Sequence, residues 1–285
     1  MRVEINTRAI LGNIEKAKSI ANRPISLMFK DFYEDIYSHI EETGCKIFSK
    51  NLEGSICYSL FNSKTKHKGC FVTKDTDFMV SLCGCNIDDF YIPINANDNR
   101  EGLSLEDAVE LCKFIKCRHS LPVKLYGVIT SGCLNEKHPS ISELDSIWSA
   151  VSPYMEGLSI GGSFWLAKQN LPDYVSDIRI GEYMLFGTIP YDSTKELLGQ
   201  NAIKIKARVI GVYPERNQII VDCGYSLADV KDCTVHHQGL KYVDSSSEYT
   251  IFELDGCEIN IGEEVEITPN YKSLVKLKDA QRHYL

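Results

Sequence analysis

The sequence predicts an α/β fold, a (β/α)8 TIM-type barrel trimmed in places and followed by a small antiparallel β domain. Three observations carry this reading. Eight short β-type runs recur between Ile25 and Gly187, helical patterns lie between several of them, and after about Glu196 the texture changes to strands separated by turn residues. The runs are Ile25–Phe29, Lys46–Ser49, Gly69–Thr73, Phe78–Leu82, Phe90–Ile94, Val123–Thr130, Gly157–Gly161 and Ile178–Leu185. Several are continuously apolar rather than alternating, which suits parallel strands buried on both faces.

The helices announce themselves by spacing and by caps. Ile10, Leu11, Ile14, Ala17 and Ile20 fall on one face of a helix over Arg8–Ala21, with Asn6-Thr7 as its cap. Ser104 opens a capping box closed by Asp107, and Leu105, Ala108, Val109, Leu111, Cys112 and Ile115 form the apolar face behind it. Ser142–Val151 gives a third helix. Strands alternating with helices point to a parallel βα architecture. The interval from Ser49 to Phe90 is too short for a full helix after each strand, so the barrel is expected to be trimmed there.

Beyond the barrel, Ala202–Tyr213, Gln218–Cys223, Tyr249–Leu254 and Glu264–Thr268 read as antiparallel strands. The boundary falls near Asp192–Gly199, dividing a barrel domain, 1–195, from a β domain, 196–285. A formal charge of -8, with Lys64–Lys68 as the one basic run, argues against a nucleic-acid partner. No apolar stretch approaches the roughly 20 residues a bilayer requires. Met1–Ile5 enters a strand pattern without a signal peptide's apolar region, so a cytoplasmic protein is expected. The eleven cysteines are scattered and odd in number, as reduced thiols are. Cys83-Gly84-Cys85 and His236-His237 lack a second pair at metal-site spacing, so no metal is expected.

In a parallel barrel the C-terminal ends of the strands share one face, and sites are built there. Lys30 ends the first run, where desolvation favours the neutral, nucleophilic amine. Gly161-Gly162-Ser163 ends the seventh, with glycines that let backbone N–H groups approach a phosphate and a serine hydroxyl as a further donor. Arg179 lies in the eighth, and Arg100 follows the fifth. A lysine, a phosphate cradle and two inward arginines together describe a pyridoxal phosphate site.

The same residues resemble a known family, the fold-type III pyridoxal phosphate enzymes of the alanine racemase superfamily, and within it the ornithine racemase-like group. The likeness runs through Val3–Asn6, Ile10–Ile14, Phe29-Lys30, Asn99–Leu103, Leu158–Ser163, Asp177–Glu182 with Leu185–Gly187, Val221–Gly224, Asp244–Ser247 and Thr268–Tyr271. It implies that Lys30 forms the Schiff base with the cofactor and acts as one base. It also implies that Arg179 bonds the pyridine nitrogen, that Ser163 and the backbone near Gly162 bind phosphate, that Tyr271 reaches the phosphate from the β domain, and that Arg100 lies near the ring oxygen or the substrate carboxylate. Tyr33 stands one residue closer to the lysine than the family's phosphate-binding tyrosine. Pro269–Ser273 lacks the ligands of the metal-dependent relatives, so no catalytic metal is implied.

The function expected is an amino-acid racemase or epimerase with a two-base α-proton transfer. Lys30 would serve one face and Tyr225 the other, with Tyr213 and Cys223 behind it, the second base coming from the partner in a homodimer. The substrate is a small-molecule amino acid, ornithine or another basic one by resemblance alone. A decarboxylase or aldolase of the same fold, or a non-catalytic pyridoxal phosphate-binding protein, are the alternatives.

Overall fold

The computed structural model describes residues 1–40, 43–58, 67–72, 89–96, 102–118, 123–130, 138–168, 170–189, 199–271 and 273–285. After β1 (Arg2–Ile5) and α1 (Thr7–Ile20), eight parallel strands close into a barrel. They are β2 (Ile25–Met28), β3 (Lys46–Phe48), β4 (Ile56–Cys57), β5 (Gly69–Phe71), β6 (Asp89–Pro93), β7 (Lys124–Ile129), β8 (Gly157–Gly161) and β9 (Val175–Ile180). Closure is made by β2 against β9, with Leu27 opposite Ile180. On the outside lie α2 (Leu105–Arg118) and α3 (Ile141–Val151), and the short α4 (Glu182–Phe186) follows β9.

Of the interval expected to be trimmed, Ser49 to Phe90, residues 49–58, 67–72 and 89–90 are described. The link 49–55 is too short for a helix and is held by its own serines. Ser49 Oγ accepts from the N–H groups of Asn51 and Leu52, and Ser55 Oγ donates to the Leu52 carbonyl. Two strand assignments change. The third barrel strand is Ile56–Cys57, whose two residues carry too little pattern to stand out, so Gly69–Phe71 becomes the fourth, and Phe78–Leu82 lies outside the described residues. Ile178–Leu185 divides into the end of β9 and α4, since Gly181 breaks the extended run.

The helix caps are those read from the sequence. Asn6 Oδ1 accepts from the Ala9 N–H at 2.9 Å, and Ser104 Oγ accepts from the Asp107 N–H at 3.1 Å. A further capping box joins Ser140 and Glu143 at the start of α3. The face α1 turns inward carries Ala9, Ile10, Asn13, Ile14 and Ala17.

The second half is antiparallel: β10 (Ile203–Tyr213), β11 (Gln218–Val221), β12 (Thr234–Val235), β13 (Leu240–Ser245), β14 (Thr250–Leu254), β15 (Glu264–Thr268) and β16 (Arg282–Tyr284). All but β16 follow the order β12-β15-β10-β11-β14-β13, and β1 pairs with β10 and β16. The first strand therefore belongs to this sheet and not to the barrel. Its alternating burial fits a sheet with one covered face. Asn13 fastens the two parts: its amide donates to the carbonyls of Met184 and Gln200 and accepts from the Gln200 N–H, at 3.1, 2.7 and 2.7 Å. The expected boundary at 195 and 196 lies outside the described residues. Among the described residues no helix is long and apolar enough to cross a membrane.

Candidate functional site

Lys30 owes its position to Phe29. The Phe29 side chain is fully buried and its N–H donates to the Phe48 carbonyl at 2.8 Å, so β2 is held down to the last residue before the lysine. Lys30 is half-buried at the barrel rim and caps a 3-10 helix, Asp31–His39. Its Nζ lies 4.8 Å from the centroid of the Tyr271 ring, a cation–π contact. Tyr271 comes from the segment after β15, so the antiparallel domain supplies one wall of the site.

Tyr33 completes that wall. A 3-10 turn has about three residues per turn, and the Tyr33 N–H donates to the Lys30 carbonyl at 3.0 Å. This places its ring beneath the lysine, with the hydroxyl donating to the Met28 carbonyl at 2.8 Å and lying 3.2 Å from the Tyr271 hydroxyl. Burial, with Tyr271 adding to it, pushes the Tyr33 phenol well above its ordinary value.

Gly181 makes room for the pair. A Cβ there would lie 2.8 Å from the Tyr271 hydroxyl and 3.4 Å from the Tyr33 hydroxyl. Gly162 adopts φ 108°, a conformation that favours glycine. Its neighbour Ser163 is buried, and Ser163 Oγ accepts from the Tyr183 N–H at 3.0 Å, leaving the hydroxyl hydrogen to donate. Glu182 follows Gly181 and is half-buried; burial raises its carboxyl to about 7, an effect the nearby Lys30 ammonium partly offsets.

Arg179 is 3% exposed and thoroughly anchored. Nη1 donates to the carbonyl and the hydroxyl of Ser159, Nη2 donates to the Ile129 carbonyl, each at 3.0 Å, and the guanidinium lies 5.5 Å from the Phe48 ring centroid. The Ser159 hydroxyl in turn donates to buried Asp177 at 2.8 Å, and Ser176 donates to the other oxygen at 2.8 Å. Buried cation and buried anion are thus joined through one hydroxyl. A Cβ on Gly161 would lie 2.6 Å from Arg179 Nη2, so this packing requires a glycine there.

Lys30, Gly162, Ser163, Arg179 and Tyr271, expected together, stand at the ends of β2, β8 and β9 and on the loop that covers them. Arg100 lies outside the described residues. Tyr225 is on the antiparallel domain with 52% of its surface exposed, its N–H bonded to the Ser246 carbonyl and its carbonyl to Lys276 Nζ, each at 2.9 Å. Cys223 is fully buried and its thiol is pushed up to about 12. Sequence reasoning missed Glu182, Ser159 and Asp177, although all three stand within the motifs it quoted.

A phosphorylated ring aldehyde such as pyridoxal phosphate suits this donor set. Lys30 offers an amine, the Tyr33, Tyr271 and Ser163 hydroxyls offer donors around a Cβ-free stretch, and Arg179 offers a fixed cation within the barrel.

No family model matches the chain. A D-serine dehydratase from Dictyostelium discoideum is 24% identical over 132 residues, 39% of this chain and 33% of that enzyme's length. An alanine racemase structure from Pseudomonas aeruginosa superposes with a TM-score of 0.78 at 16% identity, covering 100% of both chains. A D-threonine aldolase structure from Filomicrobium marinum gives a TM-score of 0.73 at 13% identity, covering 99% of this chain and 90% of that one. The closed parallel barrel and the antiparallel sheet that caps its rim thus make up the fold of the alanine racemases and their structural relatives.

Proposed function

We propose that the chain is a pyridoxal phosphate-dependent amino-acid racemase or epimerase. The observation that carries the reading is the Lys30 amine over the Tyr271 ring, beside the paired Tyr33 and Tyr271 hydroxyls. Lys30 would hold the cofactor through its amine. Tyr33, Tyr271, Ser163 and the Gly162 backbone would hold its phosphate, Arg179 would face the ring nitrogen, and Arg100 would lie near the ring oxygen or the substrate carboxylate. When bound, the cofactor withdraws electrons from the amino acid's α-carbon and so acidifies its hydrogen.

The chain's own residues decide what happens to that hydrogen. Lys30 can remove or return it on its own face of the substrate. Arg179 keeps its proton under all ordinary conditions, and its bonds to Ser159 and Ile129 hold it in place. A guanidinium at the ring nitrogen leaves that atom unprotonated, which favours simple return of the hydrogen over side reactions. The opposite face needs a second base, and we assign it to Tyr225 of a partner copy in a cytoplasmic homodimer. The outward position of Tyr225 supports this assignment. A basic amino acid such as ornithine is the first substrate to try.

The test is a panel of L- and D-amino acids incubated with protein and cofactor in deuterated water and resolved by chiral chromatography. Racemisation predicts both enantiomers of one substrate, deuterated at the α-carbon, with no carbon lost. The partial match to D-serine dehydratase favours a second reading, elimination from a hydroxy amino acid, which would release ammonia and a keto acid. Loss of carbon would indicate a decarboxylase or aldolase, and binding without turnover a non-catalytic pyridoxal phosphate-binding protein.

A further inference from the structure

Asp177 is a buried acidic residue to which the racemase reading gives no task. It stands two residues before Arg179 on β9, so the two side chains leave the same face of the strand. Ser159 lies opposite Asp177 on β8, and Gly161 lies opposite Arg179. Because Gly161 has no side chain, the guanidinium can lie across β8, reaching Ser159 there and the Ile129 carbonyl at the end of β7.

The acceptors that hold Arg179 are of two kinds. The carbonyls of Ser159 and Ile129 accept whatever side chains surround them. The Ser159 hydroxyl accepts only by orientation, since it has one hydrogen and two lone pairs and turns to suit its neighbours. Here the hydrogen goes to Asp177 Oδ2 at 2.8 Å, which turns a lone pair to Arg179 Nη1 at 3.0 Å. The reverse orientation would aim that hydrogen at a guanidinium N–H, donor against donor. An ionised aspartate only accepts, so Asp177 decides between the two. Its own direction is set by the Ser176 hydroxyl, which donates to Oδ1 at 2.8 Å.

We propose that Asp177 is a positioning residue for Arg179: by keeping the Ser159 hydroxyl an acceptor, it fixes where the guanidinium meets the ring nitrogen of the cofactor. The contact with the ring rests on the pyridoxal phosphate reading of the site, whereas the hold on Arg179 does not. A fixed cation beside the ring nitrogen opposes a second positive charge there. In Asp177→Asn the amide offers a donor as well as an acceptor, so Ser159 can turn either way. Arg179 is then free to swing, and the ring nitrogen can take a proton from solution.

The experiment is nitrogen-15 NMR of the full chain, read twice. Without cofactor, solvent exchange of the Arg179 Nη hydrogens should be about tenfold or more faster in Asp177→Asn, as losing one hydrogen bond to a charged group implies. Backbone amides of β8 and β9 should exchange as in the wild type. With pyridoxal phosphate labelled at the ring nitrogen, the wild-type signal should stay that of an unprotonated nitrogen as pH falls, and that of Asp177→Asn should move to the protonated form. Ser159→Ala cuts the same link at its middle and carries the same expectations where Asp177→Asn fails to fold, and Ser159→Thr, which keeps the hydroxyl, should behave as the wild type. Unchanged Nη exchange, or faster exchange along both strands as well, overturns the inference. Faster Nη exchange with an unchanged ring nitrogen overturns the claimed ring contact. Faster Nη exchange in a protein that does not bind pyridoxal phosphate overturns the cofactor reading and supports the hold on Arg179.

Discussion

Two lysines of this barrel make nearly the same contact and occupy opposite ends. Lys30 Nζ lies 4.8 Å from the Tyr271 ring centroid and Lys46 Nζ lies 4.8 Å from that of Tyr126. Lys46 is the first residue of β3, at the barrel floor. There it donates to the Tyr91 hydroxyl at 2.9 Å, over rings packed inside the strands: Tyr91 stacks on Tyr126 and meets Phe48 edge-on. Lys30 stands past the end of β2, where the chain leaves the barrel and a tyrosine from the other domain closes over it. The local chemistry is alike, and the direction of the strand decides which lysine stands at the rim under the second domain and which plugs a floor.

The sharpest way to break this comparison is to remove each lysine in turn. Lys30→Ala should abolish the bound-cofactor visible absorbance and all turnover, whereas Lys46→Met should retain both, as measured by spectrophotometry on cofactor-loaded protein. Arg179→Ala comes next, because it leaves buried Asp177 and Ser159 without their cation. Losing a charged donor to buried acceptors costs about 1.5–3 kcal/mol per hydrogen bond, read as a shift in the urea midpoint.

Glu182→Gln should stabilise the cofactor-free protein in a pH-dependent way. The folded carboxyl is raised from 4.5 to about 7, so its ionisation opposes folding. There is no cost well below 4.5, where both folded and unfolded forms are protonated; the cost grows as pH rises and is complete above about 7. At about 1.4 kcal/mol per pH unit it reaches roughly 3 kcal/mol. Denaturation at about pH 8 should show the gain, and denaturation at about pH 4 should not. The smallest effect belongs to Lys46→Met, which loses one hydrogen bond and a cation–π contact while keeping the stem's packing. About 1 kcal/mol is expected in the same denaturation assay.

Most of the barrel was legible in the sequence because parallel strands buried on both faces read as continuous apolar runs. Only Ile56–Cys57 slipped through, being too short to form a run, and β13 was hidden by Asp244 and Ser245 at a bulged edge. At the candidate site, Lys30, Ser163 and Arg179 were singled out as residue types in barrel strands or at their ends, and Tyr271 through the family resemblance. Tyr33 was not, since its place depends on a 3-10 turn that spacing alone does not distinguish from an α-helix. Glu182 was not, since its character comes from burial near Lys30. The link from Asp177 through Ser159 to Arg179 needs the register of β8 on β9, where a shift falls between Leu158 and Ser159.

The central claim is that Lys30 at the rim, and not Lys46 at the floor, is the reactive amine. Borohydride reduction of protein loaded with equimolar pyridoxal phosphate, followed by peptide mass spectrometry, tests it most directly. The account predicts one stable adduct, on the peptide carrying Lys30, absent from Lys30→Ala. An adduct on Lys46, or label spread over surface lysines with Lys30 unmodified, would contradict it.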